Sequence, residues 1–201
     1  MNPVGLIRLE TELEYGVELR GDVIPVTETN AADVPRLTVA RHDDGYLLLF
    51  ASTLPPGARA ALAAVDERRL FESLSEIDAN LLDNVQKTVR CSWYVIGRIP
   101  ALSEFPDVVE RDGRFVIERD GQIVADAWSA QRGERADEVE VETAEAYRRR
   151  GYGRQVVAAW TRHVRSAGKI ALYSHLVTND ASRALAASVG AQQYAETVEY
   201  F

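Results

Sequence analysis

Between Arg148 and Arg154 the chain reads Arg-Arg-Arg-Gly-Tyr-Gly-Arg. Glycines let a backbone turn tightly, so that N–H groups at a helix N-terminus point outward, where the helix dipole favours negative charge. Four arginines among these residues add charge-assisted donors. The run therefore has the chemistry of an anion cradle, and a pyrophosphate, which bridges several backbone donors at once, is its natural guest. A Walker loop is excluded because neither Lys-Ser nor Lys-Thr follows the last glycine. The dinucleotide fingerprint fails at Val156, where a third small residue is needed. The bland alternative is a solvated basic turn that caps a helix.

A second group lies just upstream. Residues 138 to 143 read Glu-Val-Glu-Val-Glu-Thr, so as a strand they place Glu138, Glu140 and Glu142 on one face and Val139 and Val141 on the other. A carboxylate there could accept a proton, with Glu140 near the strand middle the first choice and Glu138 the second. His175, in Ser174-His175 past the next strand, is a candidate acid or base near neutral pH. The competing readings are a solvated strand face for the glutamates and a surface or capping role for the histidine.

The elements that position these residues follow from periodicity and punctuation. Phe115-Val116-Ile117 and Ile123-Val124-Ala125 flank Asp120-Gly121, which predicts a hairpin with a tight turn. Val156, Val157, Trp160 and Val164 share a helical face over residues 153–167, with Gly168 at the C-terminal cap. Ile170 to Tyr173 reads as a buried strand; Asn179 is an N-cap for a helix carrying Leu185 and Val189 that Gly190 closes. The C-terminal half thus runs strand, strand, strand, helix, strand, helix, strand.

The first half is less specific. Residues 1–56 read as short extended segments, Val23 to Val26, Leu37 to Ala40 and Tyr46 to Phe50, with Pro55-Pro56-Gly57 ending the region. Leu62, Leu70, Leu74, Ile77 and Leu81 fall at helical spacing between Ala58 and Val89 and predict one or two helices. Cys91 to Ile99 reads as a strand and residues 101–109 as a connection. The division expected is a divergent N-terminal region, 1–100, and a ligand-binding half, 101–201.

Composition narrows the partners. With 31 Asp and Glu against 23 Lys and Arg among 201 residues, the chain carries −8, which disfavours general affinity for nucleic acid or an acidic membrane surface. Residues 145–170 are the exception: seven Lys and Arg face only Glu145, a net of +6 that leaves −14 on the rest. Cys91 alone cannot form an internal disulfide, and three His offer too few ligands for a Cys/His zinc site. No metal site is therefore expected, and a reducing cytoplasm is the expected home. Neither a leader nor a membrane-spanning helix is read in the sequence, since no stretch reaches the roughly 18 apolar residues that spanning needs.

Arg148 to Gly153 resembles the signature of the GCN5-related N-acetyltransferases (GNAT): Gln or Arg, two residues, Gly, one residue, then Gly or Ala. Asn179, Ser182, Leu185 and Gly190 follow a second pattern of that family in the expected order. The resemblance covers residues 111–201. It implies an α/β (α+β) fold with a mixed, mostly antiparallel sheet flanked by helices, here with an N-terminal extension that could serve the acceptor side. It implies acetyl-CoA as cosubstrate and an amine acceptor. Its pantetheine arm would lie along Val141, Glu142 and Thr143, and its phosphates would rest on Arg148, Arg149, Arg150, Gly151, Tyr152, Gly153 and Arg154, with Asn179 and Ser182 nearby. Two departures stand out: Ala186 occupies the place where the family often has a tyrosine that protonates the leaving thiolate, and Ala191 a place where many members have Phe. Tyr173 and Tyr194 are candidate substitutes for that tyrosine.

The expected function is acetyl transfer to a primary amine by direct attack, for which no nucleophile is needed, so Cys91 reads as packing. A non-catalytic acyl-CoA sensor or interaction module is the alternative that Ala186 suggests. A nucleotide- or nucleic-acid-binding module built on the basic turn is the third, opposed by the net charge. The apolar end Tyr200-Phe201 either packs on a second copy, giving a homodimer, or tucks into its own sheet.

Overall fold

The computed structural model describes residues 2–72, 85, 87–97, 105 and 107–201. Two compact units divide the chain, Met1–Trp93 with Tyr194–Phe201, and Tyr94–Gln193. Both are mixed α/β structures in which helices flank strands that pair mostly antiparallel, as the family resemblance implied. Among the described residues no helix is long and apolar enough to cross a membrane.

The first unit opens with α1 (Pro3–Tyr15), where extended backbone was expected. Its signals are local: Asn2 accepts the Gly5 N–H as N-cap, Pro3 sits where a missing N–H costs nothing, and left-handed Gly16 closes the helix. The inward face that buries Leu6, Ile7 and Leu9 also buries Glu10 and Thr11, which blurs the apolar periodicity. Strands β1 (Val23–Ile24), β2 (Leu37–His42) and β3 (Gly45–Ala51) then follow near the predicted positions. The extended segments end before Pro55-Pro56, as expected, and Pro56 sits in the first turn of α2 (Pro56–Ala63), which α3 (Glu67–Glu72) follows. The helical positions Leu74, Ile77 and Leu81 lie outside the described residues, as does most of the expected 101–109 connection.

Strand β4 (Thr88–Val95) begins before Cys91 and stops short of Ile99; its last residues belong to the second unit. Cys91 is half-buried. The chain returns to the first unit with β10 (Gln192–Tyr200), which pairs antiparallel with β2 from Glu196↔Arg41 to Tyr200↔Leu37. Tyr200 tucks into its own unit: it is fully buried with Leu37, Val39, Leu62, Leu70 and Phe71, and its hydroxyl donates to Leu70 O.

The second unit orders its strands β9-β8-β7-β6-β5, with the end of β4 on β9 through Ile96 N–H to Ala171 O. Hairpins build one side. Strand β5 (Val109–Arg111) meets β6 (Arg114–Arg119) across Asp112-Gly113, and β6 meets β7 (Gln122–Arg132) across Asp120-Gly121. Both dipeptides have φ near +50° for Asp and +75° for Gly, so each residue of these two-residue turns is left-handed. Strand β8 (Ala136–Thr143) pairs with β7, then leads through a 3-10 turn (Glu145–Tyr147) into α4 (Tyr152–Ser166). Strand β9 (Ile170–Leu176) and α5 (Asp180–Ser188) complete the predicted order.

Helix α4 lays Val156, Val157, Trp160 and Val164 on the sheet, in one core with Phe115, Ile117, Val139 and Tyr173. Under it the Trp160 indole N–H donates to Ser129 Oγ at 2.9 Å, Ser129 donates to Asp137 Oδ2 at 2.9 Å, and Lys169 Nζ holds Oδ1 at 3.0 Å. A chain of donors thus ends on one nearly buried carboxylate and fixes the start of β8. Replacing Lys169 by Met leaves that carboxylate without its counter-charge and should cost about 2 kcal/mol in urea unfolding. Gly121→Val should cost about 1 kcal/mol, because its φ of +74° strains a side chain while no atom lies within 4 Å of the added Cβ.

Candidate active site

Strands β8 and β9 are parallel neighbours over only three positions, from Ala136↔Ile170 to Glu138↔Leu172. Beyond them β8 runs on to Thr143 and β9 to Leu176 without further pairing to each other among the described residues. The two strands therefore open a gap toward their C-terminal ends, the end from which β8 passes into the arginine-glycine loop. In such a parallel arrangement that end is where ligands bind.

The loop closes back on the strand. Arg148 is extended and its Nε donates to Thr143 O at 3.2 Å. Arg149 and Gly151 are left-handed, with φ of 61° and 80°. The first bond into α4 is Gln155 N–H to Gly151 O, so the N–H groups from Arg149 to Arg154 have no acceptor among the described residues. Among the described residues no side chain caps this helix end, and no acidic residue enters its first turn. Unsatisfied donors, a left-handed turn and a dipole end make a concave, positive surface for an anion. At Gly153 a Cβ would come within 3.2 Å of Thr143 Oγ1 and 3.8 Å of the Leu185 methyl carbons, so the glycine permits the helix to press against the strand end and α5.

The arginine side chains are tethered around this surface. Arg154 Nε donates to Ser188 O at 3.1 Å, and the Arg150 guanidinium lies 5.1 Å from the Tyr147 ring centroid. Arg119, from the end of β6, sits 5.1 Å from the Tyr152 ring. Neither Arg119 nor Tyr147 was singled out in the sequence: Arg119 is far along the chain and reaches the loop only through the hairpin. Asn179 and Ser182 are engaged with one another, Asn179 Oδ1 accepting the Ser182 N–H at 3.0 Å as the N-cap of α5. Val141 and Thr143 are half-buried and Glu142 is exposed along the opened stretch of β8.

The strand faces separate the candidate proton carriers. Val139 and Val141 point to the α4 side, so Glu138, Glu140 and Glu142 share the other. Ser174, on that same side of β9, donates from Oγ to Glu138 Oε1 at 2.5 Å. Desolvation raises the pKa of Glu138 above the usual carboxylate value, against the pull of the Ser174 hydrogen bond, and the charge of Glu140 adds to the rise. Desolvation also raises Glu140, with help from Glu142. Trp128 stands opposite Glu140 in the β7–β8 register, and Asp126, opposite Glu142, is held by Arg114. The Arg114 guanidinium lies 3.7 Å from the centroid of the Trp128 ring.

His175 lies within β9, not past it, and on the opposite face from Ser174. It is 7% exposed and stacked against Tyr94, with ring centroids 5.2 Å apart. Its Nδ1 meets Leu176 O at 2.8 Å, and because a carbonyl only accepts, that nitrogen carries the proton; Nε2 faces the Tyr94 hydroxyl at 3.2 Å. The structure thus brings Glu138 and Glu140 together and keeps His175 apart from them. Ala186 is 0% exposed in the same core as Tyr94 and Tyr173. The Tyr173 hydroxyl donates to Ser182 O at 3.2 Å, and burial raises its pKa. Tyr194 belongs to the first unit, beside Trp93.

Holding Glu138 in a desolvated place has a stability consequence. A carboxyl whose folded pKa is raised binds its proton more tightly folded than unfolded, so it contributes stability at low pH that is lost as pH rises through the raised value. Glu138→Gln should therefore raise the thermal midpoint at pH 7. That gain should vanish below about pH 4, where the glutamate is protonated in both states, as a pair of calorimetric scans would show.

The GNAT acetyltransferase family matches residues 66–200. No curated relative matches the chain. A GNAT-family protein from Novosphingobium aromaticivorans is similar in structure at a TM-score of 0.50 and 18% identity; the match covers 58% of this chain and 66% of that one, just under two thirds of its length. An acetyltransferase from the GNAT family of Colwellia psychrerythraea superposes at a TM-score of 0.51 with 14% identity over 100% of this chain and 97% of that one. At such identities these likenesses speak for the fold, and the family match speaks for descent. With the opened β8–β9 pair and the donor-rich turn before α4 in place, the chain belongs to the GNAT acetyltransferase family.

Proposed function

We propose that this protein transfers an acetyl group from acetyl-CoA to a primary amine by direct attack. The observation that supports the reading is the row of N–H groups from Arg149 to Arg154, without acceptors among the described residues, at the start of α4. These donors and the surrounding arginines fit a pyrophosphate, and the edge of β8 from Val139 to Thr143, unpaired among the described residues, offers backbone groups to an amide-bearing arm such as pantetheine. The thioester supplies the activated acetyl group; everything else is asked of the chain.

An amine with a pKa of about 10 arrives mostly protonated at neutral pH and must lose a proton before it attacks. Glu138 and Glu140 stand on the face beside the opening, and their raised pKa values make them better proton acceptors than an ordinary carboxylate. The amine nitrogen then forms the C–N bond and sheds its second proton to water, the C–S bond breaks, and the thiolate takes up a proton. Ala186 supplies none, so that proton comes from water or from another side chain. The cytoplasm suits this cosubstrate and a chain with one cysteine.

The buried Ala186 favours one second reading, a domain that binds acyl-CoA without turnover. Titration calorimetry and a thiol-release assay over an amine panel separate the two. Acetyl transfer predicts binding of acetyl-CoA that weakens at least about tenfold in a Gly151→Val, Gly153→Val variant. It also predicts a fall in kcat of about 100-fold in a Glu138→Gln, Glu140→Gln variant whose acetyl-CoA affinity is unchanged. The rate should rise with pH along a limb centred above the ordinary carboxylate pKa, because only the deprotonated carboxyl accepts the proton. Binding with no thiol release from any amine would favour the sensor.

A further inference from the structure

Two glutamates share the acceptor face, and the structure treats them differently. Glu140 is exposed, and no hydrogen bond holds its carboxylate among the described residues. Glu138 is half-buried and takes a short hydrogen bond from Ser174 at the level where β8 and β9 part. We propose that Ser174 is a positioning residue for proton acceptance by Glu138: its hydroxyl, donated from β9 across the gap, anchors Oε1 and leaves Oε2 to receive the ammonium proton. This deepens the acetyltransferase reading and rests on it.

The physical case has three parts. Ser174 spans the gap between two strands that no longer share backbone bonds there, so among the described residues it fixes the carboxylate relative to β9. A hydroxyl has one proton to give, and giving it to Oε1 stabilises the ionised carboxyl while using only one of its two oxygens. The groups facing Glu138 otherwise oppose its ionisation. On β8 this is Glu140, whose own ionisation Glu142 opposes in turn. On β7 the residue opposite Glu138 is the uncharged Gln131, while Asp126, farther along opposite Glu142, has its charge matched by Arg114 of β6. On β9 the same face carries Leu172 and Ser174 and no charge, while Asp137 with Lys169, and His175, lie on the other face. Ser174 is thus the partner that keeps Glu138 in its working, deprotonated form.

The test compares Ser174→Ala and Ser174→Thr with the wild type in kcat/KM against pH, using the best amine of the panel, with acetyl-CoA affinity measured by calorimetry. Ser174→Ala should move the acid limb upward by about one pH unit, so that the rate at pH 7 falls up to about tenfold and recovers by pH 9. Ser174→Thr, which keeps the hydroxyl, should restore the limb, and acetyl-CoA affinity should not change in either. An equal loss at every pH, with the limb unmoved, would overturn the proposal and leave Ser174 a packing residue. Should Ser174→Ala fail to fold, Ser174→Cys keeps the volume with a weaker donor and must show the same upward shift. A wild type that binds acetyl-CoA but turns over no amine would overturn the acetyltransferase reading and this one with it, whereas an unmoved limb in an active variant overturns this one alone.

Discussion

Past Glu138 and Leu172 the backbone groups on the facing edges of β8 and β9 lose each other as partners, and the site depends on how that loss is arranged. A strand edge without a neighbour is costly unless something else meets its donors and acceptors. Here the gap stays open because both strands are held from elsewhere. Strand β8 is bonded along its other edge to β7 as far as Ala125↔Thr143, and β9 takes the end of β4 through Ile96 and Ala171. Water or a ligand with amide groups can satisfy the freed edge, and either choice makes the gap a place to bind.

The closed end of the gap is correspondingly stiff. The Trp160–Ser129–Asp137–Lys169 chain ties α4, β7, β8 and the start of β9 together where the register still holds. Because α4 is anchored through Trp160 and Val164, its N-terminal turn is presented at a fixed place beyond Thr143. Gly153 allows the last approach, with Thr143 Oγ1 and Leu185 filling the space that a side chain would need. Anion cradle and opened strand are thus consequences of one packing arrangement.

Electrostatics divide the unit in a similar way. Around the loop, arginines are spread over Tyr147 and Tyr152 and tied to carbonyls, which keeps several positive charges close without placing them in direct opposition. On the sheet face opposite α4, Glu138 and Glu140 stand together, and desolvation makes these two reluctant to ionise. That arrangement lowers stability and raises basicity, a trade expected where a carboxyl has to exchange a proton near neutrality.

The C-terminal half was legible in the sequence because its signals are local. Asp120-Gly121 specifies a turn by its backbone conformation, Asn179 caps by a side-chain bond three residues away, and the arginine-glycine run sets its glycines and arginines in adjacent residues. The alternation Glu138 to Thr143 even assigned the glutamates to one face before any fold was known. Helix α1 was misread despite its caps, because a buried Glu10 and Thr11 interrupt the apolar period that sequence reading relies on. Other facts needed the tertiary structure: that β8 and β9 separate after Glu138, that Ser174 rather than His175 meets the glutamates, and that Arg119 reaches Tyr152. Each depends on which strands become neighbours and at what register, and a one-residue slip would have exchanged Ser174 for His175.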